Sequence, residues 1–196
     1  PSVYGKFYEG AEEKMYPQEW TQLSLRKGAE PWEPVGELSI GIDPAEGGDN
    51  TVWCISAYNG IVELLSLKTE NTAIITAKTI ALMRKYNVQP NNVVFDVGGG
   101  GKQHVDRLRS QGHLVRALGF GQTVQAPKTR VRKSVRKQTS DAETSYAFKN
   151  ERSRIYFLVR QRMNPEVNRK GFAIPSTALA RSRRERAEDL RRSVPR

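Results

Sequence analysis

Two aspartates stand where a chain of this kind can do chemistry. Asp43 closes the run Leu38-Ser39-Ile40-Gly41-Ile42, and Asp96 closes Val93-Val94-Phe95. Each run is short, apolar and strand-like, so each carboxylate falls at a strand end, partly desolvated unless something binds it. Clustered carboxylate oxygens are what a hard cation such as Mg2+ takes as ligands. Two divalent ions ~3.5–4 Å apart can activate a water and stabilise the leaving oxygen of a phosphodiester. Asp43 suits the position shared by both ions. The ordinary reading of either residue alone is a turn, because Asp precedes Pro44 in one case and lies close to glycine in the other. Both strand ends taken together favour the metal. Glycines near each Asp leave room for a substrate backbone. In the loop that follows, Ala45 to Asn50, Asp49 reads equally as a further metal ligand and as a solvated turn residue, and Glu46 more as a turn residue.

A second set of residues is basic. Lys128, Arg130, Arg132, Lys133, Arg136 and Lys137 place six positive charges in ten residues, a density suited to neutralising phosphates and releasing counterions. Nothing in the segment reads bases, so such binding is largely independent of sequence. Arg152, Arg154, Arg160 and Arg162 extend this surface or form the outer face of a helix. Lys102 and His104 follow a glycine run and can reach a scissile phosphate at a helix N-terminus. Tyr146 and Phe148 are candidates for stacking on bases, with core packing the stronger reading. The whole chain of 196 residues carries 32 Lys plus Arg against 21 Asp plus Glu, a formal charge of +11. That balance attracts polyanions, nucleic acid first and an anionic membrane surface second.

Other chemistries are excluded. One cysteine, Cys54, inside Val52-Trp53-Cys54-Ile55, rules out a disulfide framework and a four-cysteine zinc site and reads as a small core residue. His104 and His113 are too few for a histidine-rich metal site. No apolar stretch approaches the ~20 residues needed to span a bilayer, and the N-terminus has no signal-peptide pattern. The expectation is a soluble protein of a reducing cytoplasm, starting at Pro1 as a piece of something longer.

The elements that must position the aspartates follow from periodicity. Residues 1–36 read as a lead-in, with a short helix over Thr21–Gly28 ended by glycine and an extended Pro31-Trp32-Glu33-Pro34. Leu38–Ile42, Thr51–Tyr58 and Ile61–Leu67 are three strands, the last two joined by the hairpin pair Asn59-Gly60. From Asn71 the period becomes helical through Ile74, Ala77, Lys78, Ala81, Leu82 and Lys85, with Asn71 or Thr72 as N-cap. Val93–Phe95 is a strand buried on both faces. A second helix covers His104–Gln111, with Val105 and Leu108 inward and Gly112 closing it. Leu114–Phe120 is a fifth strand. Thr129–Arg132 alternates briefly, as in a hairpin. A long helix starts at Asp141 or Ser145 and runs to Met163, Gly171–Pro175 is a short edge strand, and Ala178–Ser193 is a charged helix. The order β-β-β-α-β-α-β is an α/β, RNase H-like mixed five-stranded sheet flanked by helices. If the strands of Asp43 and Asp96 are parallel neighbours, both carboxylates emerge at the carboxyl edge, where ligands of open α/β sheets sit.

Three stretches resemble the nuclease domain of the large terminase subunit of tailed double-stranded DNA bacteriophages. "GIDPAEGGDNTVWCI" (41–55) is similar to its first acidic motif and "VVFDVGGGGKQHVDRL" (93–108) to its second. "FKNERSRIYFLVRQRM" (148–163) followed by "GFAIP" (171–175) is similar to a later helix and strand. "VYGKFYEGAEEKMYPQEW" (3–20) resembles the segment joining the packaging ATPase domain to the nuclease. The resemblance implies a two-metal endonuclease, using Mg2+ or Mn2+, that cuts concatemeric viral DNA in the cytoplasm of an infected bacterial host. It implies Asp43 and Asp96 as catalytic metal ligands, and the ATPase domain, small terminase subunit and portal as partners beside double-stranded DNA. The expected division is a linker over 1–36 and a nuclease domain over 37–196. The family's third acidic residue, in a stretch like Asp-Leu-Ala-Asp-Ala, has no clear counterpart. Asp189 is a weak candidate and Asp141 a weaker one, so the expectation is that this ligand lies past Arg196. No GxxxxGK[ST] phosphate loop occurs.

Two other readings stay open. "FDVGGGG" also looks like the phosphate loop of an actin- or sugar-kinase-type half-domain, although that class needs two related halves and a Gly where this chain has Ala45. A non-catalytic DNA-binding module is the other.

Overall fold

Alternation of large apolar residues with small or polar ones builds the centre of the sheet. In β1 (Ser39–Asp43), Ile40 and Ile42 are buried while Gly41 and Asp43 are exposed. In β2 (Thr51–Ala57) every second residue, from Thr51 through Trp53 and Ile55 to Ala57, is buried. Asn59 and Gly60 turn the chain into β3 (Gly60–Leu67), and helix α2 (Thr72–Lys85) carries it across to β4 (Val93–Asp96). Helix α3 (Gly101–Ser110) leads to β5 (Arg116–Leu118). Helix α1 (Gln18–Ala29) precedes the sheet and α4 (Glu151–Met163) follows it. The computed structural model describes residues 15–45, 47–98, 100–124 and 148–175.

The strand order is β3-β2-β1-β4-β5. β1, β2 and β3 form an antiparallel meander, and β4 and β5 add in parallel to β1. This mixed five-stranded sheet is the RNase H-like arrangement expected from the element order. One face is the core. Ile40, Ile42, Trp53, Ile55, Val93 and Phe95 meet Ile75, Leu82 and Met83 of α2 and Val105 and Leu108 of α3.

The buried stripe of α2 is displaced from the sequence expectation. Ile74, Ala77 and Ala81 are exposed, and the core-facing residues are Ile75, Thr76, Thr79, Leu82 and Met83. Two threonines disguised the stripe. Each satisfies its hydroxyl on the carbonyl four residues back, Thr76 on Thr72 at 3.0 Å and Thr79 on Ile75 at 2.8 Å. Thr79 Oγ1 also accepts from the buried Trp53 Nε1–H at 3.0 Å. Thr79→Val keeps the shape and strands that indole N–H, an expected loss of about 1–3 kcal/mol measured by urea unfolding. Asn71 caps the helix as expected, its side chain accepting from the Ala73 N–H. The helix is followed by Asn87 at φ 51°.

Other boundaries shift for local reasons. α3 begins at Gly101, three residues before His104, because Gly100 at φ 92° supplies its left-handed N-cap. β5 is three residues long: Leu114 before it is exposed, and after it Gly119 accepts from the Gln122 N–H in a turn. The helix expected from Asp141 or Ser145 starts at Glu151, where Asn150 accepts from the Ser153 N–H at 2.9 Å. Residues 125–147 and 176–196, with the expected hairpin and charged helix, lie outside the described residues. The Gly171–Pro175 stretch pairs at the sheet edge through one parallel bridge, Ala173 to Gly60.

The stretch expected as a linker is packed over its described part. Tyr16 meets Tyr156 edge-on and donates to its carbonyl, and Arg160 of α4 lies 5.0 Å from the Trp20 ring centre. Asn59 ties down the chain after Trp32, donating to Glu33 O and accepting from Val35 N–H. Gly28 does not end α1. It lies inside the helix, where a β-carbon would come within 2.1 Å of the Ile174 carbonyl oxygen, so its role is close packing.

Candidate metal centre at the carboxyl edge of the sheet

β1 and β4 are adjacent and parallel, with Ile42 opposite Phe95. The next residue of each strand is an aspartate, so Asp43 and Asp96 emerge side by side at the carboxyl edge. Their side chains point away from the core, because Ile42 and Phe95 before them point into it. Asp43 is exposed and Asp96 half-buried. Partial burial pushes the Asp43 carboxyl above its ordinary range, and the negative charges of Asp96 and then Asp49 push it further in the same direction. The charges of Asp96 and Asp49 thus both reach Asp43.

The backbone around the pair is tightly held. Asp96 Oδ1 accepts from the Gly98 N–H at 2.9 Å, which fixes the carboxylate over the glycine turn. Gly101, the first residue of α3, is wedged against the same strand end. A β-carbon there would stand 1.8 Å from the Asp96 carbonyl oxygen and 3.0 Å from Pro44 Cγ. The α3 N-terminus therefore abuts both aspartate-bearing turns, and the positive end of its dipole favours an anion nearby. The loop carrying Asp49 is bolted at its base. Buried Thr51 accepts from the Ala45 N–H at 2.9 Å and donates to the Ala45 carbonyl at 3.2 Å. Sequence reading missed Thr51 and Gly101 as supports. The glycine run after Asp96 was the available signal for the second, and Thr51 carried none.

Of the other candidates, Lys102 is exposed on the first turn of α3. His104 is not available to a phosphate. It is 1% exposed and stacks on Phe95 at 5.9 Å between ring centres, on the core side of the sheet. The α4 arginines are used in packing: Arg152 lies over Phe120, Arg160 over Trp20, Arg162 over Tyr58, and Arg154 pairs with Glu151 at 2.8 Å. Phe148 packs on Phe157. Cys54 is partly buried on the aspartate face of β2, and burial pushes its thiol up to about 11, which makes it inert. Glu46, Lys128–Lys137, Asp141, Tyr146 and Asp189 lie outside the described residues. Among the described residues no three His, Cys, Asp or Glu side chains are grouped at metal-ligand spacing. The described donors are two neighbouring carboxylates with Asp49 within electrostatic reach, a hard oxygen set that fits Mg2+ or Mn2+ with water completing the shell.

No protein-family model matches this sequence. No curated protein matches it either. Solved structures do. The nuclease domain of the large terminase subunit gp2 of bacterial virus Sf6 superimposes with a TM-score of 0.58 at 15% identity, covering 85% of this chain and 75% of that one. The chain has the terminase nuclease fold. A variant of the same Sf6 domain, solved with manganese and beta-thujaplicinol, aligns at 13% identity over the same shares of each chain, with a TM-score of 0.60. Within the terminase nuclease fold of this chain, the meander and the two crossovers bring residues 53 positions apart in sequence, Asp43 and Asp96, onto one edge.

The electrostatics of this edge give a pH test. Asp43 has its pKa raised by folding, so the folded chain binds the proton more tightly than the unfolded one. The stability that goes with the neutral carboxyl is fully present below its unfolded pKa of about 4 and is lost as pH rises through the higher folded value. At neutral pH without metal, ionised Asp43 is a cost. Asp43→Asn therefore raises the melting temperature at pH 7 in EDTA and leaves it unchanged near pH 3.5. Calorimetry at the two pH values checks this; a lowered melting temperature at pH 7 contradicts it.

Proposed function

We propose that this chain is a metal-dependent DNA endonuclease domain that cuts concatemeric double-stranded viral DNA during genome packaging, by two-metal phosphodiester hydrolysis. The observation that carries the proposal is the placement of Asp43 and Asp96 on neighbouring parallel strand ends of a terminase nuclease fold. Asp43 and Asp96 hold the divalent metal, with Asp49 as a further ligand directly or through water. Held by these residues, Mg2+ or Mn2+ would supply an activated water and charge compensation for the leaving oxygen. The manganese in the Sf6 neighbour supports that choice of ion. Partial burial first, and the like charges of Asp96 and Asp49 after it, raise the Asp43 carboxyl, and a divalent cation held there would favour its ionised form.

The residues of the chain supply the rest. The Asp96–Gly98 hydrogen bond and the Gly101 wedge keep Asp96 from turning away. Lys102 and the α3 N-terminus attract the phosphate next to the scissile bond. The basic segment Lys128, Arg130, Arg132, Lys133, Arg136 and Lys137 grips the duplex without reading its sequence. A third acidic ligand, for which Asp189 is a weak candidate in the sequence, completes the site. The working context is the cytoplasm of an infected bacterial host, beside the terminase ATPase domain, the small terminase subunit and the portal. The domain proper spans 37–196, preceded by a joining segment.

The test is cleavage of supercoiled plasmid with Mn2+, Mg2+, Ca2+ or EDTA. Nicking and linearisation with Mn2+ or Mg2+, absent in EDTA, is the expected result. Binding with no cutting under any cation makes the chain a non-catalytic DNA-binding module, and tight ATP binding without DNA returns the kinase-type half-domain. Replacing Lys128, Arg130, Arg132 and Lys133 by glutamine flattens the log–log salt dependence of duplex binding by about three to four, near 0.9 per lost phosphate contact. An unchanged slope removes that segment from the DNA contact.

A further inference from the structure

At the opposite end of β2 from Asp43 lies a cleft of about 690 Å³, lined by Lys27, Trp32, Glu33, Asn59, Arg169 and Lys170 among others. Val52 pairs with Asp43, and Asn59 lies seven residues further along, so the cleft is about 23 Å from the candidate metal centre at ~3.3 Å per residue. Its walls are built rather than incidental. Buried Asn168 donates to the carbonyls of Arg162 at 2.9 Å and Gly171 at 3.1 Å, which sets the turn presenting Arg169 and Lys170. The Ile174 N–H donates to Ser24 O at 2.9 Å and Gly28 packs on Ile174, which draws the end of α1 and Lys27 against that turn. A β-carbon on Gly171 would lie 3.8 Å from Lys27 Cγ. Asn59 clamps the chain on either side of Pro34, and Trp32 is half-buried with its ring edge against Gly60.

Three cations thus converge from two anchored segments, and none of them is ion-paired among the described residues. Glu33 is the one acidic side chain in the lining. We propose that this cleft binds a nucleotide unit of a single nucleic-acid strand, its phosphate held by Lys27, Arg169 and Lys170 and its base against Trp32. Trp32 decides for a single strand, because a base stacked inside a duplex cannot turn its face to an aromatic ring, and the cleft is on the scale of a nucleotide-sized ligand. Unpaired phosphates draw Lys and Arg, and an exposed base finds an aromatic face, which is how single strands are held without sequence preference. The inference goes beyond the nuclease reading and is tested without metal or cleavage.

The experiment uses the full chain carrying Asp43→Asn in EDTA, with a fluorescein-labelled five-residue oligothymidylate followed by anisotropy at rising KCl. Lys27→Gln, Arg169→Gln and Lys170→Gln together are expected to weaken binding at least about tenfold and to flatten the salt slope by about two, near 0.7 per contact. Quenching of tryptophan fluorescence by the oligonucleotide is expected to fall in Trp32→Phe. Unchanged affinity and slope in the triple variant overturn the proposal. Thymidine monophosphate binding as tightly as the oligonucleotide overturns the strand in favour of a free nucleotide, and displacement by polyglutamate at lower charge concentration overturns it in favour of an acidic peptide. If the unmodified chain fails to cut plasmid while these binding results hold, the nuclease reading fails and the cleft stands.

Discussion

Asp43→Asn and Asp96→Asn each lower Mn2+-dependent plasmid cleavage by at least about 10²–10³-fold, the scale on which loss of a group stabilising developing charge is felt. Neither change unfolds the chain. Asp43 is exposed and Asp96 half-buried, and both lie beyond the last buried residue of their strands. The two variants differ in what else they do. Asp43→Asn removes the desolvation of a charged carboxylate and then the repulsion from Asp96 and Asp49, and so raises metal-free stability at neutral pH. Asp96→Asn keeps a side-chain oxygen able to accept from the Gly98 N–H, so the glycine turn survives and only the charge is lost. Turnover of plasmid under matched Mn2+ concentrations, with circular dichroism to confirm the fold, measures both. Undiminished cutting by either variant removes that aspartate from the site.

Gly101→Ala is expected to cost about 3 kcal/mol, toward the upper end for overpacking a tight contact. The added methyl falls 1.8 Å from the Asp96 carbonyl oxygen, a backbone atom that cannot swing aside. Either α3 backs out of the core face it shares with Phe95, or the end of β4 moves. In a chain of this size the loss corresponds to a fall of roughly 6–12 °C in melting temperature. Both escapes displace Asp96, and a misplacement on the order of 1 Å lowers catalysis by about 10²-fold, so activity falls even at temperatures where the variant is folded. Gly121→Ala serves as the control, since a methyl there meets nothing within 4 Å. Equal melting temperatures for Gly101→Ala and Gly121→Ala contradict the wedge.

The pattern of the chain shows the sheet clearly because its strands alternate strictly or are wholly apolar. Ile40, Ile42, Trp53, Ile55, Val93 and Phe95 announce their face by type alone. The element order and the position of each Asp at a strand end then suffice to bring Asp43 and Asp96 together. What sequence could not show depends on partners far along the chain. Thr79 reads as polar until Trp53 is placed above it. Gly28 reads as a helix terminator until Ile174 arrives against it. His104 reads as a phosphate ligand until α3 is extended back to Gly101, which turns its ring toward Phe95. The α4 arginines look like a nucleic-acid surface, and three of them are occupied with aromatic rings. Residues 15–36 have no period of their own because their order comes from α4 and from Asn59.

The most direct measurement is anomalous scattering at the manganese edge from crystals soaked in MnCl2. A peak bridged by the carboxylates of Asp43 and Asp96, lost in Asp43→Asn, is the expected result. Ordered carboxylates at saturating Mn2+ with no anomalous peak between them contradict the assignment of this sheet edge as a metal centre.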